Sequence, residues 1–274
     1  MDRLINYLFI FVLIGIFVLE ARALEHRSII LGTLFSVLFC IIVFFLNWLS
    51  LDGARSGMVL GSLVFGLGGI PFTFLTLFFF LSSTLISGHN TAGIEPASRN
   101  PGRIRRDGLQ VWSNGFWLAI WLMAGFIFDS SIFLAGAVAA LATATADTWA
   151  TELGSRRFRV RTYLLNGSEV EAGTDGGISI PGTLAALAGS LVISFLATYL
   201  FALELYAFLV IFVAGYLGCL ADSYFGAQIQ HTTSSISVPF FKRAAAITVD
   251  NNLVNWMATG TGSLLAIILM LVFE

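Results

Sequence analysis

Charged residues are scarce in this chain: Asp, Glu, Lys and Arg together make up 11% of its 274 residues, against about 25% in an ordinary globular domain. This deficit excludes a soluble globular protein. The net charge is -2, and the sequence contains no run of charged residues longer than a few positions. The sequence therefore offers no electrostatic footprint for nucleic acid.

Cysteine and histidine are nearly missing. The two cysteines, Cys40 and Cys219, stand alone in apolar runs, which excludes a disulfide framework and a C-x-x-C metal site and indicates that both are small packing residues. The three histidines, His26, His89 and His231, form no pair in the sequence. We interpret each as an interfacial or loop residue rather than a catalytic base.

Hydrophobic sequence is abundant: 57% of the residues are hydrophobic, 26 of them are Phe, and the mean hydropathy is +0.89. A barrel would show alternating segments of about ten residues, and none is present. Eight apolar runs are long enough to cross the ~30 Å hydrocarbon core of a bilayer. We therefore predict an all-α, polytopic bundle of about eight transmembrane spans that forms a single integral membrane domain over residues 1–274. The runs cover about 4–20, 28–48, 57–87, 111–128, 132–152, 178–200, 206–228 and 251–273.

Two of these runs have unusual features. The third contains Gly66, Gly68, Gly69 and Pro71, yet at 1.5 Å per residue it reaches only about 45 Å, too little for two crossings. We expect one kinked span there. The first run has the outline of a signal peptide, but Glu20 and Arg22 crowd the cleavage position, so we interpret it as a span.

Lys and Arg concentrate in three connections, between spans three and four, five and six, and seven and eight. The loops at the opposite ends of these helices carry none. By the positive-inside rule these connections face the cytoplasm, and eight spans then place both termini outside. In this topology Arg3 and Arg55 oppose Arg22 and Arg27. The ten residues in the three connections are Arg99, Arg103, Arg105, Arg106, Arg156, Arg157, Arg159, Arg161, Lys242 and Arg243.

Five polar clusters lie at the cytoplasmic ends of the spans in this topology. An ionised carboxylate at the centre of a span costs about 2.5–3.5 kcal/mol even on insertion scales, so each cluster requires a reason. Helix capping or helix–helix bonding explains any one of them alone. Their common depth favours a shared site. The clusters are Gln110 with Asn114, Asp147 to Gly154, Gly173 to Gly177, Asp222 to Gln230, and Asp250 to Asn255.

A short sequence echo relates the last four spans. Ala146-Asp147-Thr148-Trp149 is echoed 75 residues later by Ala221-Asp222-Ser223-Tyr224. Asp175-Gly176-Gly177 is echoed at the same offset by Asp250-Asn251-Asn252. The echo is compatible with a parallel repeat of spans 5–6 and 7–8. In such a repeat the two acidic helix ends would face each other around one site.

The residue types in these clusters suit metal-dependent phosphoryl transfer. Glycine-rich backbone that enters a helix offers N–H groups and the positive end of the helix dipole to phosphate. Asp, Glu, Asn and Gln are the oxygen ligands that Mg²⁺ prefers, and Arg supplies forked donors for phosphate. Walker A and protein-kinase signatures are absent from the sequence.

These considerations give a set of candidate site residues. The catalytic candidates are Asp147, Glu152 and Asp222. The metal ligands are predicted to be Asp147, Glu152, Asp222 and Asp250. The nucleotide-binding candidates are Gly173, Thr174, Asp175, Gly176, Gly177, Arg156 and Arg157. The substrate-binding candidates are Gln110, Asn114, Thr148, Thr151, Ser223, Gln230, Asn251, Asn252 and Asn255.

The motifs Gln110-Val111-x-x-Asn114-Gly115, Asp147-Thr148-Trp149-Ala150-Thr151-Glu152-Leu153-Gly154 and Gly173-Thr174-Asp175-Gly176-Gly177, with Asp222-Ser223 and Asn251-Asn252-x-x-Asn255, resemble a known family. It is the membrane family catalogued as domain of unknown function 92, which includes the plant phytyl-phosphate kinase of tocopherol synthesis. The resemblance runs in order from about residue 57 to the C-terminus. Many members read Asn-Asp where this chain has Asn251-Asn252.

The resemblance implies a function. It implies transfer of a phosphate from a nucleotide, CTP or another NTP, to an isoprenyl or phytyl monophosphate, with Mg²⁺ as cofactor and a diphosphate as product. The expected partners are the lipid bilayer, the isoprenoid phosphate and the nucleotide, and a homodimer is compatible with the sequence. A lipid or ion transporter is the alternative, because intramembrane carboxylates and broken helices also mark transporters.

Overall fold

The structure, a computed structural model, describes residues 1–19, 23–91, 105–154, 160–163, 167–171, 173–230, 232–237 and 244–273. In these residues it contains eight helices that are long and apolar enough to cross a membrane, as the sequence predicts. The chain is therefore an integral, multi-pass membrane protein of all-α architecture. The helices are α1 (Asp2–Leu19), α2 (Ala23–Phe45), α3 (Leu51–Thr91), α4 (Gly108–Phe128), α5 (Ile132–Gly154), α6 (Ile180–Phe201), α7 (Leu205–Ile229) and α8 (Asn251–Phe273).

Helix α5 forms the centre of the bundle and packs against α3, α4, α6, α7 and α8. Every residue from Ala135 to Ala146 is buried, and most of them are Ala, Gly or Thr. Small residues let neighbouring helices approach closely in a membrane. A Cβ on Gly189 of α6, for example, would lie 3.0 Å from the Ala146 Cα. This close packing holds the backbone of α5 in place directly before Asp147.

Helix α3 is broken in the middle. Gly69 has φ 66° and ψ -163°, a combination that is essentially restricted to glycine. The helical residues on the two sides of Gly69 span about 27 Å and 33 Å at 1.5 Å per residue. Each segment is long enough for a crossing, because the helix extends beyond the hydrophobic run at both ends.

Contacts show that the two segments of α3 fold back on each other. Near its start, Asp52 Oδ2 accepts a hydrogen bond from the Gly108 N–H, the first residue of α4, at 2.9 Å. Near its end, the Ser87 hydroxyl donates to Glu152, in the last turn of α5, at 2.8 Å. Helix α4 begins where α5 ends, since a short connection joins the two helices at their other ends. The expectation of one kinked span is therefore wrong, and α3 is a helical hairpin.

This hairpin changes the side on which the N-terminus lies. A Cβ on Gly108 would contact the Asp2 side chain at 3.0 Å, so α1 begins at the same end of the bundle as α4. We call this end, where α5 and α7 end and α4, α6 and α8 begin, the polar end. The expectation that both termini share the opposite side is wrong. Of the Lys and Arg residues that the structure describes, all but Arg27 belong to helix ends or connections at the polar end.

Helix α1 is part of the bundle. The Trp112 indole N–H donates to the Asn6 side chain at 2.7 Å, and the Phe9 ring stacks on the Trp112 ring with a centroid distance of 4.6 Å. Buried indole N–H groups usually find such a partner. Helix α1 is therefore packed against α4 as one of the eight candidate spans.

Two small antiparallel sheets lie at the polar end. Neither of them is predicted from the sequence. The first, in the connection from α5 to α6, has the strand order β2-β1-β3, and the second, in the connection from α7 to α8, is a two-stranded hairpin. Both connections of the predicted repeat thus carry strands at the same end of the bundle. The strands are β1 (Val160–Tyr163), β2 (Glu169–Glu171), β3 (Gly177–Ile178), β4 (Thr233–Ser237) and β5 (Ala244–Thr248).

Candidate functional site

A cavity at the polar end brings together eleven of the candidate site residues. It lies between the ends of α5 and α7, the beginnings of α6 and α8, and the segment before α6, and it has about 820 Å³ of empty volume. We call it the aspartate cavity. The candidates that line it are Asp147, Thr151, Gly173, Thr174, Asp175, Gly176, Gly177, Asp222, Ser223, Gln230 and Asn251.

The centre of this cavity is a pair of aspartates from two helices. The side chains of Asp147 and Asp222 form a hydrogen bond with each other. The Asn255 amide nitrogen, in the orientation that satisfies both amide atoms, donates to Asp222 Oδ2 and to the Asn251 carbonyl, each at 3.1 Å. Two carboxyl groups approach this closely only when a proton or a cation is shared between them. The two positions related by the sequence echo thus meet at one point, where a cation can take the place of a proton.

The charge of the cavity is one-sided. Asp175 is close enough to Asp222 for its charge to act on that carboxyl group. Together with Asp147 these are three acidic residues, and none of the described lining residues is Lys or Arg. Such a cavity repels a phosphate group unless a cation enters with it. The arrangement therefore favours an anionic ligand only together with a divalent metal.

The residues present fit Mg²⁺ held in part by a substrate. Among the described residues, no group of three or more His, Cys, Asp or Glu side chains is arranged to hold a metal ion. Mg²⁺, however, usually takes one or two carboxylates and completes its octahedral shell with waters and substrate phosphates. Asp147 and Asp222 provide those two carboxylates. The described residues are thus compatible with a partly open Mg²⁺ site and not with a closed metal cage.

The glycine-rich segment before α6 is fixed against α7. Gly176 has φ +72°, and a Cβ there would overlap the Ser223 carbonyl oxygen and lie 2.6 Å from the Ala227 nitrogen. Its neighbour Gly177 donates its N–H to the Thr174 carbonyl at 3.0 Å, which closes a turn. Position 176 therefore requires glycine for two reasons, its left-handed conformation and its contact with α7.

The first turn of α6 borders the same cavity. Ser179 caps this helix: its hydroxyl accepts the Gly182 N–H at 3.2 Å and donates to the Gly154 carbonyl at 3.4 Å. Gly182 and Thr183 also line the cavity. Unpaired N–H groups and the positive end of the helix dipole favour anions at such a position. Ser179 is not among the candidate residues predicted from the sequence, although a serine two residues before Pro181 is a typical helix start.

Glu152 and Thr148 do not line the aspartate cavity. Glu152 accepts the hydroxyl hydrogen bond of Ser87 on α3 and lies close enough to Arg106 to interact with its charge. The Thr148 hydroxyl donates to the Ala144 carbonyl of its own helix at 2.8 Å. Both residues are on the side of α5 that faces away from Asp222. The structure therefore does not bring Glu152 to the predicted metal site.

Asp250 also lies outside the cavity lining. Its carboxylate accepts the Leu253 N–H at 2.9 Å and the Asn252 amide at 3.3 Å. This is helix capping, so the predicted metal role of Asp250 and substrate role of Asn252 have no support in the geometry. Asn255 supports Asp222 directly, as described above. Arg156 and Arg157, predicted to bind nucleotide, lie outside the described residues.

Gln110 and Asn114 line a second, separate cavity between α2, α3 and α4. Gln110 takes part in a capping box with Asp107: each side chain accepts the other's backbone N–H, at 3.1 and 2.8 Å. The Asn114 amide donates to the Gln110 carbonyl at 3.0 Å. The prediction that these two residues lie at the polar end of the bundle is confirmed. The polar residues at this end are, however, divided between two cavities.

Comparison with known proteins is consistent with these motifs. Residues 34–263 match the family described as integral membrane protein DUF92. Among curated proteins, the uncharacterized membrane protein MJ0933 of Methanocaldococcus jannaschii is 28% identical over 219 residues, which cover 80% of this chain and 84% of that protein. No solved structure matches the chain.

Proposed function

The chain belongs to the DUF92 family of integral membrane proteins, and from the aspartate cavity we propose that it is a nucleotide-dependent kinase of membrane lipids. In this proposal it transfers a phosphate from a nucleotide, CTP in the first instance, to an isoprenyl or phytyl monophosphate and forms the diphosphate. The observation that carries the proposal is the Asp147–Asp222 pair, which lies opposite a glycine-rich segment and a helix N-terminus in one cavity.

Each part of the cavity has a role in this reaction. A divalent cation bound by Asp147 and Asp222 would neutralise charge on the transferring phosphate, which is the main requirement of phosphoryl transfer. Asn255 holds the Asp222 carboxylate in place through its hydrogen bond. The backbone around Gly176 and the first turn of α6 offer N–H groups to the remaining phosphate oxygens. These groups are rigid before the substrate arrives, so little reorganisation is required.

The proposed acceptor agrees with the residues that are present. None of the described residues lining the cavity is histidine. A monophosphate acceptor is already anionic near neutral pH and needs no general base, whereas a lipid alcohol would be helped by one. The positive-inside rule places the polar end in the cytoplasm, where a soluble nucleotide is available. The acceptor would reach the cavity from the adjoining leaflet.

The depth of the aspartate pair argues against the transporter alternative. Between Ala135 and Ala146, the buried part of α5 contains only two polar side chains, Thr143 and Thr145. The Thr145 hydroxyl is bonded to the Leu141 carbonyl at 2.7 Å. A transporter site usually lies near the midplane of the membrane. Here Asp147 lies seven residues before the end of α5 and Asp222 seven residues before the end of α7, both at one end of the bundle.

A turnover assay tests the proposal. Purified protein is incubated with Mg²⁺, CTP or ATP labelled in the terminal phosphate, and prenyl monophosphates of ten to twenty carbons. We expect labelled prenyl diphosphate, and its formation should stop when the metal is chelated. If no combination of nucleotide and prenyl monophosphate gives diphosphate, the proposed function is wrong.

A matched pair of variants links the activity to the cavity. Asp147→Asn removes one negative charge from the aspartate pair. Asp129→Asn makes the same chemical change at the other end of the bundle, where Asp129 ends α4 in a left-handed conformation with φ 47° that asparagine also adopts. We expect Asp147→Asn to abolish turnover and Asp129→Asn to retain it. Equal activity of the two variants would contradict the assignment of the cavity.

A further inference from the structure

The second cavity at the polar end has the form of a lipid-chain site. It has about 860 Å³ of empty volume, part of it open to the surroundings, and it is bordered by α2, both segments of α3, α4 and Leu141 of α5. We call it the apolar cavity. Aromatic and aliphatic side chains form most of its wall, among them Phe35, Phe39, Leu60, Val64, Phe79 and Leu118.

One end of this cavity carries a single positive charge. Arg106 is the only charged residue among the described residues that line it. Its guanidinium carbon lies 5.4 Å from the centroid of the Phe80 ring and 5.7 Å from that of Phe79, within cation–π distance. Burial lowers the pKa of Arg106 to about 10, and the negative charge of Glu152 opposes this shift. Because a pKa of about 10 is still well above neutral pH, Arg106 remains protonated there.

The backbone holds Arg106 firmly in this position. The Arg106 N–H donates to the Trp48 carbonyl, and its own carbonyl accepts the Ser50 N–H, both at 3.0 Å. The chain before α4 is thereby joined to the end of α2 and the start of α3. An arginine that was only an interfacial anchor would point toward water and lipid head groups. Arg106 instead lies against two phenylalanines at the end of an apolar cavity.

Two amides lie beside this charge. Gln110 and Asn114 line the cavity one and two turns into α4. The Gln110 Oε1 atom is occupied by the Asp107 N–H, which leaves its amide hydrogens as donors. Asn114 uses one amide hydrogen on the Gln110 carbonyl and retains the other. The polar end of the cavity therefore presents a guanidinium and two amide donors, a set that suits a phosphate group.

The other end of the cavity is apolar and reaches the surface of the bundle. From Gln110 to Leu118, eight residues along α4, the wall extends about 12 Å at 1.5 Å per residue. Phe35, which also lines the cavity, is 40% exposed on the outer side of α2. Phe35 therefore brings one part of the cavity wall to the outer surface of α2.

We propose that the apolar cavity binds one single-chain lipid with a phosphate head group, with the chain between α2, α3 and α4 and the phosphate at Arg106, Gln110 and Asn114. Charge complementarity identifies the occupant: the described lining has one cation, amide donors and no carboxylate, which favours an anionic head on a lipid chain. This places the lipid on the α3–α4 side of α5 and not between α7 and α8.

The identity of this lipid as the acceptor rests on the proposed function. Helix α5 contributes Leu141 to the apolar cavity and Asp147 to the aspartate cavity, and six residues of helix separate the two by about 9 Å along its axis. A lipid phosphate at Arg106 would thus lie beside the helix that carries Asp147. The binding site itself is defined by the groups of the apolar cavity alone.

Photo-cross-linking tests the site without any turnover. The probe is an alkyl monophosphate of twelve carbons with a diazirine at the far end of the chain, added to the full-length protein in lipid nanodiscs without nucleotide. We expect labelling of α2, α3 or α4 residues in the cavity wall. Unlabelled dodecyl phosphate should compete at least about tenfold better than dodecanol. Labelling confined to α7 and α8, or equal competition by the alcohol, would overturn the proposal.

Two pairs of matched variants locate the chain and the head group. Thr76 lines the cavity and Thr84 does not, and both hydroxyls donate to the carbonyl four residues earlier in α3, at 2.8 and 2.6 Å. Thr76→Phe should reduce labelling at least about tenfold, and Thr84→Phe should leave it unchanged. Arg106→Met should remove the preference for phosphate over alcohol, whereas Arg105→Met at the exposed neighbouring position should retain it. The site would be contradicted if Thr76→Phe were labelled as strongly as the wild type, or if Arg106→Met retained the preference for phosphate over alcohol.

The same variants separate this proposal from the proposed function. If labelling follows the expected pattern but no diphosphate forms with any nucleotide, the lipid site is supported and the kinase function fails. If diphosphate forms and Thr76→Phe turns over the acceptor with an unchanged KM, the kinase function stands and the location of the lipid is wrong.

Discussion

The two cavities at the polar end share helix α5 but differ in the charge and polarity of the residues that line them. The aspartate cavity is lined by three carboxylates, backbone of a glycine-rich segment and the first turn of α6, with no described Lys or Arg. The apolar cavity is lined by aromatic and aliphatic side chains of three helices, with Arg106 as its only described charge. One excludes phosphate unless a metal is present, and the other attracts it directly.

This contrast shows that the two halves of the chain provide different chemical environments. The α5–α8 half brings two carboxylates together, which costs free energy in a membrane unless a proton or cation compensates. The α2–α4 half encloses an apolar space and places one cation at its end. The proposed reaction between a soluble nucleotide and a membrane lipid uses both environments, and the two cavities adjoin at α5.

The largest expected effect is at the centre of the aspartate cavity. Asp222→Asn should lower the turnover rate by at least about 100-fold, the usual effect of removing a group that stabilises charge at a reacting centre. The folded state should be retained, because asparagine can still hydrogen-bond Asp147. The measurements are initial rates at saturating substrate and the thermal unfolding midpoint.

Asp250→Asn is the matched control for this change. Asp250 caps α8 outside the cavity, and asparagine is also a good capping residue. Its turnover should stay within about twofold of the wild type. A rate for Asp222→Asn in the same range would remove the distinction between a metal ligand and a cap.

The next effect concerns the glycine-rich segment. Gly176→Ala should lower nucleotide affinity at least about tenfold, because the Cβ meets α7 and the segment must move. Gly167→Ala provides the control: Gly167 has a similar φ of +67°, but a Cβ added there would meet no atom within 4 Å. Both variants carry the left-handed strain of about 1–2 kcal/mol, so only contact with α7 distinguishes them. Equal nucleotide affinity, measured by calorimetric titration, would show that the segment does not form the phosphate site.

A smaller effect is expected at Asn255. Asn255→Leu removes the hydrogen bond to Asp222 and should raise the Mg²⁺ concentration needed for half-maximal activity about tenfold, since a hydrogen bond to a charged group contributes about 1.5–3 kcal/mol. Asn252→Leu, at a side chain that bonds only to Asp250 in the described contacts, should leave the Mg²⁺ requirement unchanged. An altered acceptor KM with an unchanged Mg²⁺ requirement in Asn255→Leu would place Asn255 with the lipid head group instead.

The smallest effect is expected at Glu152, between the two cavities. Its contacts include Ser87 and the charge of Arg106, so Glu152→Gln should change turnover by no more than about threefold, as expected for a residue away from the chemistry. Steady-state rates decide this directly. A loss of 100-fold or more would mean that Glu152 is a metal ligand, as the sequence had suggested.

The sequence predicted the membrane class, the helix order and the depth of the polar clusters well. Hydropathy and the Lys and Arg distribution report burial in lipid directly, because each apolar residue of a span contributes independently. The meeting of Asp147 and Asp222 followed from their common depth and from the 75-residue echo. In contrast, the hairpin in α3 depends on the φ and ψ of Gly69, and hydropathy contains no information on that conformation.

Other differences arise because a helix has several faces and depth alone does not distinguish them. Asp147 and Glu152 are five residues apart, so they point about 140° away from each other, one toward α7 and the other toward α3. Gln110 and Asn114 share the depth of the aspartate pair but line the apolar cavity. Arg106 resembled any positive-inside residue in the sequence. Its place against Phe79 and Phe80 follows from backbone hydrogen bonds to Trp48 and Ser50, between residues more than fifty positions apart.

The central claim is that Asp147 and Asp222 together hold a divalent cation that admits the nucleotide phosphates, and Mn²⁺ binding tests it most directly. Electron paramagnetic resonance of purified protein titrated with Mn²⁺, with and without CTP, measures the free ion. We predict one Mn²⁺ per chain, bound more tightly with CTP, and at least about tenfold weaker binding in Asp147→Asn and in Asp222→Asn but not in Asp129→Asn. Equal Mn²⁺ affinity of the wild type and an Asp147→Asn, Asp222→Asn double variant would contradict the account.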